Sequence, residues 1–320
     1  MANIAAAQSG DFSATSTWTG GVVPGSGDVA YSNTFTVTIS DTRTVQAISN
    51  ASATGITVGG TFSLLNGCNL TCTNANGIVQ GAVATSCVTT PSLGVGTTAT
   101  VAASFQHTAA SPTTHTVAFS TGGTLNVIGN ATGPNNNASG GLAAINYAGS
   151  GVLNFTGNIK AGSVSQAYGI VCSGSNAINI VGNVSGSDAV NNAYGLYLVT
   201  GASAITVTGN CIGGNAAPAV YMSFSGTLTV NGACQSGSGS FAVNSASSVA
   251  ISRFSGPFLL ALSGNFSPIY VYSWRWAPTQ IPTYMEVVAS NGSTKRNLYT
   301  ADNMPSGGYP TAANVRASTV

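Results

Sequence analysis

Polysaccharide-cutting chemistry in this chain would have to come from six carboxylates, Asp11, Asp28, Asp41, Asp188, Glu286 and Asp302. Hydrolysis of a glycosidic bond needs two carboxyl groups facing each other across it. β-Elimination needs a carboxylate-bound calcium ion beside a basic group. Between Asp41 and Glu286 the chain carries only Asp188. No local pair can form along that stretch, and an acid shared between subunits is the one enzymatic arrangement left. His107 and His115 stand eight positions apart on a polar stretch with no nearby carboxylate. That is a poor metal site, and both read as solvated loop histidines. The six cysteines, Cys68, Cys72, Cys87, Cys172, Cys211 and Cys234, form no C-x-x-C motif and have no histidine at zinc spacing. They read as small buried hydrophobes, with disulfides as the lesser alternative. Glycine- and serine-rich strings such as Gly237-Ser238-Gly239 have no histidine or acid placed to activate a serine. No helix follows the glycine-rich stretches, so they are turns and not phosphate loops. The sequence therefore names no catalytic, cofactor-binding or metal-binding residue.

The elements that would carry any such site belong to a repeat. Its rows are Thr124-Leu125-Asn126-Val127, Val152-Leu153-Asn154-Phe155, Ala177-Ile178-Asn179-Ile180, Ala204-Ile205-Thr206-Val207 and Thr227-Leu228-Thr229-Val230, with Ser248-Val249-Ala250-Ile251 as a weaker sixth. The leading apolar residue steps by 28, 25, 27, 23 and 21 positions. Such a period is the signature of a solenoid, whose units bury their faces only by stacking. Alternation sends Leu125 and Val127, and their counterparts, inward. Asn126, Asn154, Asn179, Thr206 and Thr229 then form an outward polar ladder. The first strand ends four times in Gly-Asn, at Gly129-Asn130, Gly157-Asn158, Gly182-Asn183 and Gly209-Asn210. Both residue types tolerate positive φ, so this is a corner. A second strand reads Ala167-Tyr168-Gly169-Ile170-Val171-Cys172, then Ala193-Tyr194-Gly195-Leu196-Tyr197-Leu198, then Ala217-Pro218-Ala219-Val220-Tyr221-Met222. Ile170, Leu196 and Val220 point inward there, and Val171, Tyr197 and Tyr221 outward. No stretch has helical apolar spacing with caps. The fold class is all-β: a right-handed parallel β-helix, or β-solenoid, with an N-terminal cap and a small irregular or β C-terminal segment.

Charge narrows the partners. Only 13 of 320 residues are Asp, Glu, Lys or Arg, and the net charge is +1. Disorder goes with low hydrophobicity and high net charge, whereas 43% of this chain is hydrophobic. Nucleic-acid binding needs clustered basic residues, and only Lys295-Arg296 are adjacent. No apolar run reaches the roughly 18 to 20 residues of a membrane span. The N-terminus lacks the basic and apolar regions of a secretory signal peptide. The expectation is a product made in a host cytoplasm, with no membrane insertion.

Three regions follow. Residues 1–44 read as a cap or attachment region, with turn formers around Trp18 and Asp28 closing the first exposed sheet end. The alternative for Trp18 is a sugar-stacking ring. Residues 45–268 are the β-helix, clearest over 123–251, with 85–116 expected to bulge out as a longer excursion. Residues 269–320 are dense in aromatics, including Tyr272, Trp274 and Trp276. Those three, with Tyr197 and Tyr221, are candidate contacts to a glycan or to another subunit.

The run Ser9-Gly10-Asp11, followed by Thr17-Trp18-Thr19-Gly20-Gly21-Val22-Val23-Pro24-Gly25-Ser26-Gly27-Asp28, resembles the start of a loose group of bacteriophage virion proteins with β-helical bodies. Residues 299–317, from Tyr299-Thr300-Ala301-Asp302 to Val315-Arg316-Ala317, resemble a segment near the end of such proteins, where related chains often continue further. The body matches only in style. The resemblance implies a virion component, usually a homotrimer, and transfers no catalytic residue. The leading expectation is a structural and adhesive protein, a trimeric tail fibre or spike that displays a surface to a host glycan. The alternative is a decoration or head-fibre protein bound to the capsid, and a polysaccharide depolymerase ranks below both.

Overall fold

The computed structural model describes residues 2–51, 59–82, 87–89, 95–109, 113–120, 122–135, 141–163, 166–174, 177–187, 193–199, 204–222, 227–232 and 234–235, with the backbone of four more strands at 243–245, 258–259, 284–288 and 295–299. Short β-branched strands separated by glycine corners close into a β-solenoid. Its strands stack in parallel along three sides. One side is an eleven-stranded sheet running from Asn3–Ala5 to Phe258–Leu259. The second place in each turn is filled by a four-stranded sheet, Gly10–Asp11 to Val88–Thr89, and then by a six-stranded sheet, Val117–Phe119 to Val243–Ser245. The third is an eight-stranded sheet from Thr42–Val45 to Thr227–Val230. Helix among the described residues is limited to two single 3-10 turns, Thr15–Thr17 and Thr19–Gly21. Beyond the coil, Tyr284–Val288 pairs antiparallel with Lys295–Tyr299.

Register is exact where the sequence repeats. Leu125, Leu153, Ile178 and Ile205 stack as one buried column, and Val127, Phe155, Ile180 and Val207 as the next. Each such side chain contributes about 1.5–3 kcal/mol of burial, which no turn could obtain alone. The outward ladder is also present. Asn154 Nδ2 donates to Asn126 Oδ1 at 2.9 Å, and Asn179 Nδ2 donates to Asn154 Oδ1 at 2.9 Å. Thr206 and Thr229 continue the column in register. Asn154→Asp deletes the donor to Asn126 and keeps the acceptor for Asn179. Its expected cost is about 1–2 kcal/mol, read from the denaturant midpoint at unchanged m-value.

The Gly-Asn corners divide their labour. Gly129, Gly157, Gly182 and Gly209 take φ of 154°, 144°, 144° and 150°. The asparagines supply hydrogen bonds instead of positive φ. Asn130 Oδ1 accepts from Asn158 N at 2.8 Å, Asn158 Oδ1 from Asn183 N at 3.0 Å, and Asn183 Oδ1 from Asn210 N at 2.9 Å. Just past each corner lies a third, two-residue strand that periodicity alone did not reveal, such as Ile159–Lys160 or Val184–Ser185. A fifth corner glycine, Gly232, sits over the Gly209 carbonyl without a Gly-Asn pair to announce it.

The first 45 residues already contribute strands to all three sides. The N-terminal end is closed from within the coil. Phe12 and Trp18 pack edge to face at 4.8 Å, and Trp18 Nε1 donates to the Phe12 carbonyl at 2.7 Å. The Arg43 guanidinium lies 5.6 Å above the Phe12 ring and pairs with Asp41. Asp28 accepts from Ala2 N at 2.9 Å and Gly25 N at 3.1 Å. These two backbone donors hold its carboxyl below the ordinary value.

Within 85–116, an expected excursion, the described residues stay largely in the coil. Val88–Thr89, Thr98–Ala102 and Phe105–His107 are sheet strands. His107 is buried, and its Nδ1 accepts from Ala109 N at 3.3 Å. His115 Nδ1 accepts from Ala143 N at 2.9 Å. The solvated-loop reading is therefore corrected for His107, a buried strand residue, while His115 lies in the segment before Val117–Phe119 and is half-buried. His107 occupies the position next to Gln80 in register, and Gln80 and Asn50 are themselves buried and bonded to each other. Polar residues line this inner corner because the backbone turning there needs partners: Asn50 Oδ1 accepts from Gly81 N and Ala82 N.

Candidate functional site: a tyrosine face

Tyr197 and Tyr221 pair in register in the six-stranded sheet and point outward, as alternation requires. The structure adds two neighbours that alternation places inside. Counting back from Ile170 and Leu196 sends Tyr168 and Tyr194 inward, yet both rings lie against the outer pair. Tyr168 stacks on Tyr197 with centroids 4.6 Å apart and on Tyr194 at 5.5 Å. Tyr194 stacks on Tyr221 at 5.5 Å with a 9° interplanar angle. The period slips because Gly169-Ile170 and Gly195-Leu196 are both buried as consecutive pairs. A Cβ at Gly169 would sit 2.6 Å from the Gly195 carbonyl oxygen, and one at Gly195 would sit 2.8 Å from that of Ala219. The backbone of successive turns touches there, so only a residue without a side chain fits. The signal was present in the sequence as the repeated triplet Ala-Tyr-Gly, at 167–169 and 193–195.

The result is a patch of four rings across three turns, with Tyr168 nearly covered and the other three half-buried. None of the strands of this sheet contains a charged residue. Burial, with the neighbouring Tyr197 and Tyr194 phenols, pushes the Tyr168 hydroxyl up to about 12. Burial and the Tyr221 and Tyr197 phenols also raise Tyr194. Both therefore stay protonated at neutral pH and can donate hydrogen bonds. Flat π-faces with phenol donors at their edges suit a neutral ligand that has both C–H faces and hydroxyls.

No protein-family profile, curated protein or solved structure matches the chain. Its chemistry has to be read from its own residues. Trp18 is 2% exposed and its indole N–H is used internally, so it offers no stacking surface. Asp11 is also engaged: partial burial pushes its carboxyl up, but hydrogen bonds from Ser13 and Ser40 and the charge of Arg43 outweigh this and lower it. Tyr272, Trp274, Trp276 and Asp188 lie outside the described residues. Among the described residues no three His, Cys, Asp or Glu side chains gather as a metal-ion site. All six cysteines are buried, and none is in a disulfide. Burial pushes Cys68 up to about 11 and Cys72 up to about 12, which keeps these thiols unreactive at neutral pH. No helix among the described residues is long and apolar enough to cross a membrane.

Proposed function

We propose that the protein is a structural and adhesive rod of a bacteriophage virion, a fibre or spike component that presents the tyrosine face to a neutral glycan on a host surface. The observation that carries this reading is the continuous stack of Tyr168, Tyr194, Tyr197 and Tyr221 on a sheet with no charged strand residue. Ring spacings of 4.6–5.5 Å mean that the rings cover one another's faces, so an oligosaccharide running along the rod would meet the outer faces, edges and hydroxyls of the stack. A charged polymer would find no counter-charge there. The virion assignment rests on the resemblance of the two terminal motifs.

The test is competition for adsorption. Purified protein should bind host cells and block phage attachment, and Tyr197→Ala/Tyr221→Ala, checked to be folded by circular dichroism, should weaken that binding on the order of 100-fold. Binding to empty capsids in place of cells would point to the decoration role. Equal cell binding by the double variant would remove the tyrosine face from recognition.

A further inference from the structure

The outward column that holds Tyr197 and Tyr221 extends past the rings toward the N-terminal turns. Its places in register are Ala118, Asn146, Val171, Tyr197 and Tyr221. Asparagine is disfavoured in strands, and on the other outward faces a bond to the neighbouring turn compensates for it. Asn126, Asn154 and Asn179 bond one another, and Asn130, Asn158 and Asn183 each accept a backbone N–H of the next turn. Asn146 has no such bond. Its register neighbours Ala118 and Val171 carry neither donor nor acceptor in their side chains, and its amide has no partner among the described residues. Ile145 and Tyr147 on either side of it are buried, so Asn146 points outward as Val171 and Tyr197 do, and it is half-buried. An uncommitted amide thus stands in line with the aromatic stack, on a sheet whose strands hold no charge.

We propose, resting on the glycan-binding reading of the tyrosine face, that Asn146 is a further hydrogen-bonding subsite of that face, and that the ligand is a neutral oligosaccharide at least three sugar units long lying along the rod. Neighbouring strands are about 4.8 Å apart, so the Asn146 backbone stands roughly 10 Å from that of Tyr197 and roughly 14 Å from that of Tyr221. A pyranose ring spans about one strand spacing. A single sugar held by the rings therefore stops short of the amide, whereas three consecutive units cover Tyr197, Val171 and Asn146 in turn. The Val171 methyls offer the middle unit an apolar floor for its C–H face. The Asn146 amide presents N–H donors beside a carbonyl acceptor. Two neighbouring sugar hydroxyls, each able to donate and accept, are the complement of that pair. Stacking on the rings tolerates many sugars, while a placed amide distinguishes one arrangement of hydroxyls from another.

The experiment is calorimetric titration of the full chain with neutral oligosaccharides of one to six units, released from host surface polysaccharide by partial acid hydrolysis and separated by size. Wild-type affinity should step up between two and three units. Asn146→Leu keeps the shape of the side chain and removes both polar atoms. It should erase that step, weakening the longer fragments roughly 10-fold and leaving the shorter ones unchanged. Tyr197→Ala/Tyr221→Ala should weaken every length. A length step that survives Asn146→Leu, while the tyrosine variant still binds weakly, overturns the subsite and leaves the adhesive reading standing. An equal loss at every length in Asn146→Leu also overturns it, because a purely structural role would act that way. Wild-type protein that binds no fragment, or a tyrosine variant that binds all of them normally, removes the adhesive reading and the subsite with it.

Discussion

Acidification from pH 7.5 to pH 4.5 is expected to destabilise the middle of the rod well before its carboxylates titrate. Burial lowers His107 and His115 from 6.5 to about 4, with the Thr114 backbone pulling His107 back slightly. Both rings are neutral in the fold, with Nδ1 accepting a backbone hydrogen bond. A group whose folded pKa is depressed contributes stability that is complete above its unfolded value and lost as pH falls toward the folded one. For these histidines the window runs from about 6.5 down to about 4. After allowance for solvent screening, each contributes on the order of 2 kcal/mol across that window. Asp11, held low by its serines, acts only below it. Thermal melts across this range should show a steep loss of stability, and His107→Asn, which keeps a δ acceptor without a titrating ring, should remove about half of it. A flat profile in the wild-type protein would sink the argument.

Gly157→Ala is expected to be among the most damaging single-methyl additions in the protein. Its φ of 144° lies where residues with a Cβ are essentially absent, and the new carbon would overlap the Gly129 carbonyl oxygen. Neither partner can yield, because Gly129 is packed in the same way on Ala103 and Gly182 on Gly157. Strain and backbone overlap together should cost roughly 4 kcal/mol. Gly67 provides the comparison. It also has positive φ, 80°, but a Cβ there would meet nothing within 4 Å. Gly67→Ala should cost only about 1–2 kcal/mol, the left-handed penalty alone. Urea unfolding of the two variants separates the terms, and equal losses would show that the stacked corner is looser than described.

The parts of this fold legible in the sequence are those set by period-2 alternation in a sheet without bulges. Leu153, Phe155 and Asn154 fall where counting puts them, because the strand is straight and each side has one solvent. The tyrosine face was half-visible for the converse reason. Tyr197 and Tyr221 obey alternation, but Tyr168 and Tyr194 lie across a parity slip created by touching backbones at Gly169 and Gly195, a tertiary contact that single-strand counting does not contain. The histidines misled because a polar, threonine-rich stretch reads as solvated. In the fold it lines an inner corner beside Gln80, where buried backbone groups require polar company. The short strands after the corners were missed because two residues cannot display a period.

The asparagine corners give the rod a direction. Each corner lends its side-chain oxygen to the backbone N–H of the turn that follows, and never the reverse. A stack interrupted after any of these turns leaves that side-chain oxygen unused, beside backbone donors such as Gly157 N and Ile159 N that bond to the next turn. A stack deprived of its earlier turns ends on backbone donors whose acceptors have gone. The asparagine side chains thus mark a polarity along the stack, pointing from the Trp18-closed end toward the later turns.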